Sequence, residues 1–105
     1  MSKVTVIAKL KAKPGLEEKV RQELEVMVKE TEKEPGCINY DLHRHMEEPG
    51  TFLFHENWES KEALDRHMKT EHFLRLSGIA ADILAEEPEI SLFEQIRQSK
   101  CQPVH

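Results

Sequence analysis

Little in this sequence could cross-link the chain or anchor it. Two cysteines among 105 residues, Cys37 in an expected strand and Cys101 in a polar stretch near the end, are too few for a disulfide scaffold and lack metal-ligand spacing, so both read as free thiols. No apolar run approaches the length that spans a bilayer. The opening residues, Met1-Ser2-Lys3-Val4, enter a strand pattern without the apolar core of a signal peptide, which predicts a cytoplasmic protein with no membrane partner. An excess of positive charge is also missing. The formal charge is −5, with acidic and basic residues interleaved along the helical segments, and nucleic acid is not an expected partner. There is no glycine-rich phosphate loop, dinucleotide fingerprint, nucleophile elbow or cysteine beside a base. No cofactor is therefore expected, whether flavin, nicotinamide or haem, and no tightly bound metal. A chain this short assembles one core, and its 38% hydrophobic residues exceed what that core covers well, which predicts a homodimer.

What the sequence does contain is alternation interrupted by turns. Val4, Val6, Ala8 and Leu10 alternate with Thr5, Ile7, Lys9 and Lys11, as in a half-buried strand, and Pro14-Gly15 ends it. Leu16, Val20, Leu24, Met27 and Val28 then recur at helical spacing to about Lys33, with Glu17 and Glu18 in the first turn where the helix dipole favours negative charge. Glu34-Pro35-Gly36 stops the helix. Cys37 to Met46 and Thr51 to Glu59 read as a hairpin turned by Glu48-Pro49-Gly50. Ser60 and Thr70 are the expected N-caps of a short helix through Met68 and a longer one closed by Pro88. A last strand spans Glu89 to Ile96.

The order β-α-β-β-α-β predicts an α+β fold of the ferredoxin-like kind, an antiparallel four-stranded sheet with its helices on one face. It occupies residues 1–96, and 97–105 form a patternless C-terminal tail expected to be mobile. Even-numbered strand residues, including Ile38, Tyr40, Leu42, Phe52, Phe54 and Trp58, belong beneath the helices. The odd face mixes Ile7, Leu53 and Phe93 with Asn39, Asp41, His43, His55 and Asn57, a composition suited to a wet subunit interface.

Glu56 breaks the even face. The two-residue period that buries Phe54 and Trp58 points this carboxylate at the helices, where it needs a partner, a raised pKa or a cavity. His67 lies three and four residues after Leu64 and Ala63, and His72 four before Leu76, so both imidazoles are expected on the core side. Tyr40 adds a hydroxyl from the neighbouring strand. Together, Glu56, His67 and His72 as acid-base groups and Tyr40, Phe54 and Trp58 as the walls of a binding site suit proton transfer on a small aromatic or carbonyl compound. The bland alternative is a satisfied core pair packed among aromatics. His43, His45 and His55 lack a fourth ligand at regular spacing and are not taken as a metal site.

Glu34-Pro35-Gly36-Cys37, Tyr40-Asp41-Leu42-His43-Arg44, Glu56-Asn57-Trp58-Glu59-Ser60, Ala63-Leu64, His67 and Thr70-Glu71-His72-Phe73 together resemble the antibiotic biosynthesis monooxygenase (ABM) domain from about Val4 to Phe93. The resemblance implies a dimeric α+β barrel with a ligand cavity between each sheet and its helices. It implies one of several activities: cofactor-independent oxidation of quinols or anthrones by dioxygen, haem degradation, or isomerisation of a phosphorylated sugar. Phe54 stands where the anthrone enzymes have asparagine, and Ile7, His67 and Ser77 stand where the haem-degrading branch has asparagine, tryptophan and histidine. The expectation is therefore a cofactor-free monooxygenase of a quinol or similar electron-rich aromatic. The alternatives are an acid-base isomerase of a small keto compound, phosphorylated or not, and a non-catalytic small-molecule binder.

Overall fold

A computed structural model describes residues 3–101 of the chain. The alternating segments form β1 (Val4–Lys11), β2 (Cys37–Arg44), β3 (Thr51–Trp58) and β4 (Glu89–Glu94), and the periodic ones form α1 (Glu17–Thr31), α2 (Lys61–His67) and α3 (Glu71–Ile83). The four strands make one antiparallel sheet in the order β2-β3-β1-β4, with both β-α-β crossovers packed on one face. The ferredoxin-like expectation holds. Ser60 Oγ accepts the N–H of Ala63 and Thr70 Oγ1 that of Phe73, so both expected N-caps close their helices.

Three elements, α1, β2 and β4, each end two residues short of their patterns, each for a local reason. The residue before a proline is disfavoured in helical geometry, and α1 gives way at Thr31 to turns leading into Glu34-Pro35. The Nδ1 of His45 accepts the N–H groups of Glu47 and Glu48, which turns the chain after Arg44 and not after Met46. Glu94 pairs with Val4, the first residue of β1, and among the described residues the pairing of β4 goes no further toward Ile96. Residues 97–101 are exposed and carry no secondary structure. The rest of the expected tail, 102–105, lies outside the described residues.

Even-numbered residues of β1 and β3 fill the core, but β2 departs from the simple alternation. Cys37 pairs with Trp58 and Asn39 with Asn57, so a bulge at Ile38 sets two steps of β2 against one of β3. Ile38 is consequently 45% exposed, and Cys37 takes the inward position expected for it. Beyond the bulge, the register aligns Tyr40, Glu56, Val6 and Leu92 in one row across the inner face, with Leu42, Phe54, Ala8 and Ile90 in the next. That row carries the only carboxylate on the inner face of β3 into the centre of the sheet.

On the outer face the polar residues satisfy one another. Thr5 donates to Asn57, Asn57 to Asn39, and Asn39 to Asp41, a ladder across β1, β3 and β2. Across the helical layer, the carboxylate of Glu23 on α1 accepts both guanidinium nitrogens of Arg75 on α3 as well as Lys19. Among the described residues, no helix is long and apolar enough to cross a membrane.

Candidate functional site

Between the inner face of the sheet and the helices lies a cavity of about 120 Å³. Strands supply Val6, Tyr40, Phe54 and Glu56, and helix α3 supplies Phe73 and Ser77; the remainder of the wall is aliphatic apart from Met27, Met68 and Pro88. Among the described residues, no lysine, arginine or histidine lines it. The walls thus offer one carboxyl and two hydroxyls in an apolar setting, as small-molecule sites commonly do.

Glu56 is 4% exposed, and its Oε1 accepts the indole N–H of Trp58 at 2.9 Å. Burial pushes its pKa up to about 7; the Trp58 hydrogen bond pulls it down by less, and the negative charge of Glu34 raises it further. This carboxyl exchanges its proton near neutrality, where a general base is most effective. Across the row from it, the Tyr40 phenol is pushed well above its ordinary range by burial and then by the charges of Glu56 and Glu34. Tyr40 therefore keeps its proton and is available as a hydrogen-bond donor.

The histidines occupy a different place from the one their spacing suggests. His67 is buried, as expected, but its Nδ1 faces Glu34 Oε2 at 2.8 Å, and His72 Nε2 faces the same oxygen at 2.6 Å. Burial lowers the His67 pKa, against the opposing pull of its hydrogen bond to Glu34. The His67 ring packs on Trp58 at 4.7 Å between centroids, against Phe73 at 5.2 Å and against Tyr40 at 5.4 Å. Of the six residues expected to build one site, Tyr40, Phe54 and Glu56 line the cavity. Trp58, His67 and His72 do not; they stand behind that wall and reach it through Tyr40, Phe73 and the Trp58–Glu56 hydrogen bond.

Glu34 is the residue that sequence reasoning passed over. It lies between α1 and β2 in a Glu-Pro-Gly turn, where neither strand parity nor helical spacing assigns a side-chain direction. The available signal was indirect: two histidines on an inward face require an acceptor.

The family model described as antibiotic biosynthesis monooxygenase matches residues 3–77, and the chain belongs to that family. A Synechocystis protein, sll1783, whose name assigns no activity, is 31% identical over 91 residues, covering 87% of this chain and 62% of its own length. This chain thus spans less than two thirds of that relative. Among solved structures, PA3566 from Pseudomonas aeruginosa superimposes with a TM-score of 0.87 at 34% identity, covering 92% of this chain and 97% of its own. A structure titled antibiotic biosynthesis monooxygenase does so with a TM-score of 0.84 at 33% identity, covering 90% and 99%.

Proposed function

We propose that the protein is a cofactor-independent monooxygenase that oxidises a quinol, or a similar small electron-rich aromatic, with dioxygen. The observation that carries this reading is Glu56, a carboxyl with a pKa of about 7 in the wall of an otherwise apolar, ring-sized cavity. A quinol hydroxyl gives its proton to the Glu56 carboxylate while Tyr40 donates a hydrogen bond to the ring oxygens and Phe54 packs on the ring. The resulting anion is rich enough in electrons to reduce dioxygen directly. Quinol plus dioxygen then gives a hydroxyquinone plus water, the ring losing four electrons and gaining one oxygen atom. Excluding water from the cavity protects the anion and strengthens its contact with Tyr40.

His67 and His72 serve this reading by holding the aromatic wall behind Glu56, and Trp58 by orienting the carboxylate. A homodimer belongs to it as well, because Ile90 and Leu92 wall the cavity from strand β4, every residue of which is exposed in the single chain. The family membership and the monooxygenase title of a 33% identical structure support the oxidative class. A phosphorylated substrate is disfavoured, since the wall offers a dianion no cation and places a carboxylate beside it.

Oxygen uptake with a panel of quinols tests the proposal. Wild-type protein is expected to consume dioxygen in step with quinol, with a rate that rises with pH through about 7 as Glu56 ionises. Glu56→Gln should lower turnover by about two to four orders of magnitude with the fold retained. Turnover of an uncharged keto compound without oxygen uptake would instead support an isomerase, and tight binding without turnover a carrier.

A further inference from the structure

We propose that Glu34, His67 and His72 form a binding site for a divalent transition-metal ion of the zinc type, held by one carboxylate oxygen and two imidazole nitrogens. The three ligating atoms lie within 4.8 Å of one another, and they come from three separate elements: the turn after α1, the last residue of α2 and the first turn of α3. Both imidazoles aim a ring nitrogen at one point, the Glu34 oxygen, at 2.8 and 2.6 Å. The in-plane direction along which a ring N–H donates is also the direction of the lone pair that would bind a metal, so the rings already face a common centre. Neutral imidazole is the form a metal requires, and burial favours that form at His67.

Room and access come from the carboxylate. Ligand bonds of about 2.0–2.1 Å at tetrahedral angles separate neighbouring ligand atoms by about 3.3 Å, so an ion entering here moves the Glu34 oxygen back from both nitrogens, now at 2.8 and 2.6 Å, and draws the two imidazole nitrogens, within 4.8 Å of each other, toward that spacing. Glu34 can make that movement because it sits outside the helix on a flexible side chain, whereas His67 is held by the Trp58, Phe73 and Tyr40 rings. The Glu34 and His72 side chains are both partly exposed, which leaves a route for the ion and a fourth position for water. Two nitrogens and one oxygen select zinc or its neighbours over magnesium and calcium, which take oxygen donors. None of the three ligands lines the cavity, so the ion would brace the three elements behind it without touching substrate.

Isothermal titration of the chelator-treated full chain with zinc chloride, with magnesium chloride as the control, tests the site without reference to turnover. The expected result is one zinc per chain and no magnesium, with zinc also raising the thermal unfolding midpoint. His72→Ala, at the partly exposed ligand, and Glu34→Gln, which keeps a hydrogen-bond acceptor, should each weaken binding by at least about 10-fold and abolish the thermal shift. His43→Ala and His45→Ala on the hairpin should change neither. Absence of zinc binding and of a thermal shift in wild-type protein would overturn the site and leave a hydrogen-bonded cluster, and so would binding that is lost with His43 or His45 and not with His72. Failure of quinol oxidation would leave this result untouched.

Discussion

An ionised carboxylate beneath an apolar layer is costly, and Glu56 makes that cost visible as a dependence of stability on pH. Its folded-state pKa of about 7 lies above the ordinary 4.5, so the folded protein binds this proton more tightly than the unfolded chain does. The stabilisation is fully present below about pH 4.5 and is lost as pH rises through about 7, a change of roughly 3 kcal/mol. Other groups act in the same range: His67, with its lowered pKa, destabilises the fold as acid protonates it. Glu23, held near 2 mainly by its hydrogen bonds to Arg75 and Lys19, stays ionised above pH 5. Comparing wild-type protein with Glu56→Gln cancels these contributions, because glutamine keeps an oxygen for the Trp58 indole N–H and never ionises. In urea denaturation the variant should gain on wild type as pH increases from 5 to 8, by up to about 3 kcal/mol. A constant difference over that range would mean that Glu56 is not desolvated, and the general-base reading would go with it.

The turn between α1 and β2 decides where Glu34 stands, and it works because of one glycine. Gly36 has φ +87°, a conformation that residues with a Cβ rarely adopt, and a Cβ there would lie 2.6 Å from the Ala63 Cβ on α2. Gly36→Ala should therefore destabilise the protein by about 2–4 kcal/mol, from backbone strain and overpacking together. Pairing it with Ala63→Gly in a double-mutant cycle should recover about 1 kcal/mol or more as coupling, since the second change removes the clash and leaves the backbone strain. Strictly additive effects in denaturant titrations would show that α2 does not press on this turn. The same segment marks the limit of what periodicity reveals. Val4 through Leu10 and Phe52 through Trp58 repeat without interruption, so their buried side, the sheet and the position of Glu56 could be read directly. Ile38 could not, because a bulge resets parity without changing composition. Nor could Glu34, because a turn has no period. His67 and His72 were placed on the inward side by their spacing, but spacing gives a direction and not a partner, and the acceptor that draws them away from the cavity belongs to the unreadable turn.

At the scale of the whole molecule, the isolated chain is under-covered. Much of the uncovered apolar surface is on β4, where Ile90 on the inner face is 53% exposed and Phe93 on the outer face 54%. Phe93 shares the outer face with the part-buried Ile7, Leu53 and His55, the surface expected to meet a second copy. Light scattering at micromolar concentration should give twice the chain mass for wild-type protein. Phe93→Glu should give the monomer, because a two-fold axis brings each new carboxylate onto the same patch of its partner. The substitution leaves the inner face unaltered, so a monomeric variant that stays folded also asks whether the cavity needs the dimer. If pairing holds β4 in place, Ile90 and Leu92 lose their support in the monomer, and kcat/KM for quinol oxidation should fall although Glu56, Tyr40 and Phe54 are unchanged. A wild-type protein that scatters as a monomer would remove the interface, and β4 would then have to hold the cavity wall through its pairing with β1 alone.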